Sequence, residues 1–448
     1  MLRIWFLAFI GYVVIEGALR KWVFPSYGTL LFAVKDVLLA AALVWLLLFE
    51  QRALAHLRGL YRPLERTMWV TWILVVLLAF AVSGASLTSL VGLRYFLCAL
   101  PLLAVFPAAY PTTRDVADWL GTFVLTAIPI GVLGIAQFMS PPDSPLNAYS
   151  WTTADVSDIS TFGEVNEALY GRLFSFVRVT GTFSYISTYS AYLQFVFFAA
   201  LGLFLVARTE RRRLLFAGIT ALIFVNLLMN GSRAPLVTSI LLALPFLKAW
   251  AAVLRRRFGA IFGIAIGAVL ISAALASVTD IFDAVLQRNE VAADAPERIS
   301  NAAFMPYFTL TETDLLGQGL GQSFLGLGEA TAGETFSGYI FDEVRVDRVG
   351  SELGSLCYLV FLLVKIYWLV ISAATFLGAR DATVKTIALV SLSYQASLLW
   401  TIPIYNSVAN IFYFLSIAMV CIMRREQAAA LALPPMATAP PLAAGLRP

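Results

Sequence analysis

The chain has 448 residues, 60% of them hydrophobic and only 13% charged, with a formal net charge of +4 and a mean hydropathy of +0.83. This is not the composition of a soluble globular protein but of a polytopic membrane protein. Cys98, Cys357 and Cys421 all lie in apolar runs and the single histidine, His56, sits in a short basic loop, which excludes a disulfide framework and a histidine-based metal centre.

Allowing about 20 apolar residues per span, the chain reads as all-α with about twelve transmembrane helices. They fall at 4–22, 30–49, 67–84, 89–107, 118–139, 183–206, 214–229, 234–253, 258–277, 353–377, 386–402 and 408–423. The first helix continues into Glu16 and Arg20 without a small-residue cleavage pattern, so it is expected to stay as an anchor. Alternate loops are basic: Arg52, Arg58, Arg62 and Arg66; Arg114; Arg208 and 211–213; 255–257; Arg380 and Lys385; Arg424 and Arg425. By the positive-inside bias these loops are cytoplasmic, which puts both termini inside and the segment 279–352 outside. The expected organisation is nine helices over 1–278, a partly helical extracytoplasmic loop over 279–352, three helices over 353–425 and a disordered Ala/Pro/Leu-rich tail over 426–448.

The cytoplasmic loops are short and carry neither GxxxxGK[ST] nor a G-x-G-x-x-G after a strand, so an ATP-driven pump and a nucleotide-sugar enzyme are both disfavoured. Nothing points to nucleic acid. The loop 279–352 holds 13 of the 27 acidic residues of the chain, and connections of such length are usually functional or disordered. It has internal order signals: Pro296 before a helix-like run 297–310, the turn Gly317-Gln-Gly319-Leu-Gly321, and Asp347-Arg348 leading into Glu352-Leu-Gly354.

Cations on the extracytoplasmic side are the informative residues. Arg20 and Lys21 close the first helix, Lys35 enters the second, Arg94 the fourth, Arg172 and Arg178 precede the sixth, and Arg233 sits between the seventh and eighth. Facing lipid, such groups cost about 2.5–3.5 kcal/mol at mid-helix and less near the interface, so something anionic is expected to compensate them. Glu16 lies four residues before Arg20 and Asp36 follows Lys35, which suggests internal pairs; Arg94, Arg178 and Arg233 have no acid nearby in sequence and are candidates for ligand binding. Arg178-Val-Thr180-Gly181-Thr182 and Asn230-Gly231-Ser232-Arg233 each open a helix with small and hydroxyl residues, where backbone N–H groups are able to cradle an anion. Two such helix starts, each with an arginine, suit a phosphate or diphosphate head group.

These residues, with the 317–321 turn and Glu352-Leu-Gly354, resemble the O-antigen ligase and Wzy-type polysaccharide polymerase superfamily. Glu16-Gly-Ala-Leu-Arg20-Lys21-Trp22 followed by Pro25 is similar to the first helix of its exopolysaccharide-associated members. The resemblance implies a GT-C-like, metal-independent glycosyltransferase of the bacterial inner membrane that needs no cofactor. Its donor would be a glycan on undecaprenyl diphosphate and its acceptor a second glycan, with a chain-length regulator or export complex as a further partner. Arg178 and Arg233 would stabilise the charge growing on the leaving diphosphate, with Arg288 or Arg298 from the loop. Arg94, Arg172, Thr180, Ser232 and Arg348 are further substrate-binding candidates. Ligases of this superfamily carry a histidine late in the large loop; here none is present outside, so the general base is expected to be a carboxylate, Glu352 first, then Asp347 and Glu343. The missing histidine favours a polymerase over a ligase. From a different class, a transporter of lipid-linked oligosaccharide is the rival reading.

Overall fold

The computed structural model describes residues 1–84, 86–140, 144–147, 161–162, 176–249, 295–321, 348–399, 401 and 403–432. It is helical apart from a two-residue antiparallel pair, β1 (Thr161–Phe162) with β2 (Phe176–Val177). The helices are α1 (Leu2–Ala18, prolonged by a π-helical turn Leu19–Val23), α2 (Gly28–Phe49), α3 (Gln51–Leu57), α4 (Pro63–Val82), α5 (Leu87–Leu97), α6 (Leu102–Ala109), α7 (Thr113–Val124) and α8 (Ala127–Met139). They continue with α9 (Ile186–Val206), α10 (Glu210–Met229), α11 (Arg233–Ala249), α12 (Ala295–Glu312), α13 (Arg348–Leu353), α14 (Ser355–Gly378), α15 (Ala382–Ser397) and α16 (Ser407–Ala432).

Among the described residues nine helical segments are long and apolar enough to cross a membrane, so this is a helical membrane protein. The fourth is α5 with α6 and the fifth is α7 with α8; Pro101 marks the break in the former. Arg233–Phe246 of α11 is apolar but shorter, and the expected helix 258–277 lies outside the described residues. The tail expectation is corrected over 426–432, where α16 continues as helix to Ala432; residues 433–448 lie outside the described set.

Helix starts follow local chemistry. Thr112 accepts from the Asp115 N–H while Asp115 reaches back to the Thr112 N–H, Ser86 accepts from Ser89, and Asp381 takes the N–H groups of Thr383 and Val384. At the centre, α9 and α16 are buried on nearly all sides, and α9 packs on α10, α15 and α16. Such all-round apolar helices belong in the middle of a bundle. Phe195 stacks on Phe412 at 4.4 Å and meets Tyr394 edge-on at 5.3 Å, joining α9, α16 and α15.

The chain alternates between two ends. At one, Arg3 pairs with Asp115, Arg424 with Glu65, and Glu426 takes both the N–H and the hydroxyl of Thr113. At the other lie the C-termini of α1, α4, α8 and α10, the N-termini of α2, α5, α9 and α11, and the segments 314–321 and 348–355. Of the cations singled out above, Arg20, Lys21, Lys35, Arg94, Arg178 and Arg233 gather at this second end.

Candidate functional site

α1 and α2 form a hairpin whose inner face is charged. Glu16 accepts from Arg20 Nη1 at 3.3 Å and from Lys35 Nζ at 2.5 Å, and all three side chains are buried. Lys35 therefore pairs with Glu16 and not with the adjacent Asp36, because neighbours on a helix point in different directions. Asp36 instead receives the Arg94 guanidinium from α5, which also donates to the Phe32 carbonyl at 3.0 Å. Arg94, which has no acid nearby in sequence, thus finds one 58 positions away through tertiary contact. Phe32 is ringed by cations, with Lys35 Nζ at 3.7 Å, Arg94 Cζ at 4.1 Å and Arg20 Cζ at 5.2 Å from its ring centre. Beside the Asp36–Arg94 pair is a small cavity of about 30 Å³ with a mainly apolar wall, lined by Phe9, Leu39 and Ile404 and also by Cys98, Ser407 and Asn410.

The hairpin packs directly on the segment that runs into α9. A Cβ on Gly17 would collide with the Thr182 carbonyl and the Ser184 N–H, so the glycine is what allows this approach. Thr182 Oγ donates to the Val14 carbonyl at 2.6 Å, Arg20 donates to Ser184 Oγ at 3.2 Å, and Lys21 Nζ donates to Thr180 Oγ at 3.0 Å and the Gly181 carbonyl at 2.8 Å. From α8, Gln137 Oε1 accepts the N–H groups of Thr180 and Gly181. At the first of the two expected anion cradles the N–H groups of Thr180, Gly181, Phe183 and Tyr185 are already taken, by Gln137, Gln137, the Thr180 carbonyl and Thr188 Oγ, which corrects the expectation for these four. Thr180 itself is 4% exposed and its hydroxyl is engaged by Lys21, so it supports the segment from inside.

Arg178 reaches the turn that carries Ser232 and precedes Arg233. Arg178 Nε donates to the Asn230 carbonyl at 3.3 Å and its Nη2 to Ser232 Oγ at 3.2 Å, which seats this half-buried guanidinium on the turn that opens α11 at Arg233. Gly231 makes the turn with φ +69°, a conformation glycine adopts without strain. Asn230 fixes both sides: it is fully buried, its amide donates to the carbonyls of Val179 and Ile186, and its Oδ1 accepts from Ser190.

No protein-family model, no curated protein and no solved structure matches the chain.

Glu352 belongs to a second cluster. It is 1% exposed near the end of α13, and the 317–321 turn is stitched to the same stretch: Gln318 N–H donates to the Ser351 carbonyl, Gly319 N–H to the Glu352 carbonyl, and Ser355 N–H to the Asp314 carbonyl. Gly317 (φ +68°) and Gly354 (φ +87°) face each other so closely that a Cβ on either would strike the other's backbone. The turn is tied to α4 by the Leu320 N–H on Ser83 Oγ at 2.8 Å, and Gly92 of α5 packs against Leu320 and Gly321. Two residues further along, α5 carries Arg94, so this helix links the Glu352 cluster to the charged hairpin. Arg348 starts α13, and Arg298 lies in α12, which packs beside α13 and α14. Arg172, Arg288, Glu343 and Asp347 lie outside the described residues.

Sequence reading missed Gln137, Asn230, Phe32 and the Asp36–Arg94 pair. A usable signal existed for the two amides, since each sits within or at the end of an otherwise apolar helix, where a side-chain amide requires internal partners.

Proposed function

We propose that the protein is a GT-C-like glycosyltransferase of about twelve spans in the bacterial inner membrane. It polymerises undecaprenyl-diphosphate-linked oligosaccharide repeat units into an exopolysaccharide or O-antigen-like chain on the extracytoplasmic side. The observation that carries this reading is the seating of Arg178 on the 230–232 turn beside Arg233, two guanidinium-bearing elements from chain segments 55 residues apart meeting at one helix start. A guanidinium is always charged and matches phosphate oxygens in pairs, so this is a place where a diphosphate is held and its growing charge met.

The surrounding electrostatics support the same reading. Among the described residues, Glu16 and Asp36 are set against Arg20, Lys21, Lys35 and Arg94, two more cations than acids, next to Arg178 and Arg233. An anion of about two charges docking at this end offsets the excess. The opposite end carries the basic loops, which by the positive-inside bias face the cytoplasm and leave the arginine pair outside.

In the reaction, an acceptor sugar hydroxyl attacks the anomeric carbon of the donor, a carbon–oxygen bond forms, and the bond to the diphosphate breaks. The electron pair leaves on the diphosphate oxygen, where Arg178 and Arg233 bind it, and the hydroxyl proton passes to a carboxylate, Glu352 or Asp347. The chain itself needs no cofactor for these steps. Ligation to a finished acceptor would use the same chemistry, and the lack of an extracytoplasmic histidine favours polymerisation. Transport of the lipid-linked glycan is the reading that the ionisable pair Asp36–Arg94 within α2 and α5 favours.

Glycans from a deletion strain complemented with Arg178→Ala or Arg233→Ala test the proposal. It requires single repeat units in place of long chains while the variant still reaches the membrane. Normal chain length in both variants contradicts the donor site, and long unattached chains in the deletion strain point to ligation.

A further inference from the structure

The segment 178–184 has neither helix nor strand, yet it lies inside an apolar bundle, where each unsatisfied backbone polar group is costly. Side chains from three elements satisfy it. Asn230, at the end of α10, holds the Val179 carbonyl at 3.0 Å. Gln137 of α8, 1% exposed, accepts from Gly181 N–H at 2.8 Å and Thr180 N–H at 3.3 Å and donates to the Gly181 carbonyl at 3.2 Å. Lys21 approaches from the opposite side with its two bonds to Thr180 Oγ and the Gly181 carbonyl. The peptide next to Arg178 is thus gripped between α10, whose Asn230 carbonyl also receives the Arg178 Nε, and the pair from α1 and α8. At the far side of the grip Gly181 adopts φ +55°, and a Cβ there would stand 3.0 Å from the Tyr189 ring, so the turn has little freedom to shift.

Lys21 is unusual among the cations of this end. It is 5% exposed, and among the described residues its polar partners are neutral oxygens, with the Trp22 ring 4.6 Å from Nζ, in place of an acid. Burying a charge against neutral partners is a costly way to fill space, because an uncharged side chain would pack there without the desolvation penalty. Its two bonds converge on the residues that set the direction in which Arg178 leaves the backbone.

We infer that Lys21, with Gln137, is a positioning residue: it fixes the Arg178 guanidinium against the 230–232 turn and acts on a bound lipid diphosphate through Arg178. This rests on the diphosphate site proposed above. A misplacement of about 1 Å is enough to cost about 100-fold in rate, so Lys21→Met is expected to cut polymer formation by up to that factor and to weaken binding of undecaprenyl diphosphate in detergent micelles. Lys21→Arg, which keeps charge and donors, restores most of both. Thr180→Val, which removes only the hydroxyl acceptor, gives a smaller loss in the same direction and serves if Lys21→Met fails to reach the membrane.

The deciding comparison is the binding of undecaprenyl diphosphate by Lys21→Met in the Arg178→Ala background, where Arg233 remains. If Lys21 works through Arg178, it has no further effect there; an equal loss in both backgrounds overturns the inference. A second readout does not depend on the lipid. With Cys98, Cys357 and Cys421 replaced by alanine, Arg178→Cys and Ser232→Cys are joined by a short bis-methanethiosulfonate, which forms a disulfide with each thiol and releases methanesulfinate, and Lys21→Met must lower the yield severalfold. An unchanged yield overturns the clamp even if the lipid binds. If Arg178→Ala leaves lipid binding and polymer unchanged, the diphosphate site is wrong, and the cross-linking yield still decides whether Lys21 holds the segment.

Discussion

Glu16→Gln is the most informative single change in the charged hairpin. Glu16 holds two cations at once, Lys35 at 2.5 Å and Arg20 at 3.3 Å, and the three side chains are between 3% and 8% exposed. Glutamine keeps the shape and one acceptor oxygen but removes the charge, leaving two buried cations without it. If only hydrogen bonds were at stake, the loss would be small, since such bonds within membranes average about 0.6 kcal/mol. Removing one partner of a buried ion pair costs about 3–5 kcal/mol because the other charge is left uncompensated. The charge effect dominates here, and a loss of about 3 kcal/mol is expected. That is a shift of roughly 100-fold in the folding equilibrium, measured by denaturant titration in mixed micelles. The companion Glu16→Gln with Lys35→Met removes one stranded cation and should recover a substantial part of the loss. A loss below about 1 kcal/mol for Glu16→Gln, or a double variant as poor as the two singles added together, would refute the view of the hairpin as a charge-balanced unit.

Three further outcomes are expected. Gly92→Ala presses a methyl group onto the Leu320–Gly321 backbone and should cost about 1–3 kcal/mol, whereas Gly121→Ala, which meets open space, should be neutral or slightly stabilising; equal melting temperatures for the two variants would contradict the docking of the 317–321 turn on α5. EDTA should leave turnover of a reconstituted preparation unchanged, and loss restored by a divalent ion would contradict the metal-free scheme. Glu352→Gln should slow transfer while leaving undecaprenyl diphosphate binding intact; unchanged transfer would assign Glu352 to the support of α13 alone.

Nine of the twelve expected spans recur among the described residues, because composition and length decide them; 234–253 and 386–402 correspond to the shorter helices α11 and α15, and 258–277 lies outside the described residues. The expected 4–22, 30–49, 183–206 and 353–377 agree within about three residues at each end with Leu2–Val23, Leu30–Phe49, Ile186–Val206 and Ser355–Gly378, the usual scatter of helix ends. Interior breaks were less legible. Pro101 announces the interruption between α5 and α6, and Pro129, four residues after Leu125, the one at Leu125–Thr126, yet each pair reads in sequence as one apolar span. The helix over 297–310 and the glycine turn at 317–321 were readable from Pro296 and the glycine spacing and appear as α12 and three positive-φ glycines.

For the site, residue type was informative and partner choice was not. Glu16–Arg20 follows from helical spacing, and Lys35 beside Asp36 could have been recognised as a non-pair, since adjacent helical residues do not face each other. Arg94–Asp36 and Arg178–Ser232 depend on tertiary contact between distant helices and have no local signature. The backbone N–H groups near 180 looked available because the sequence does not show that Gln137 and Thr188 reach them.

The central claim is the transfer reaction itself. The protein is reconstituted into vesicles with an undecaprenyl-diphosphate-linked repeat unit on the side of Arg178 and Arg233, and the products are separated on a gel. A ladder of lengthening chains, released diphosphate, and the loss of both with Arg178→Ala is the predicted result. Translocation of the lipid across the bilayer with no bond made between repeat units would contradict it.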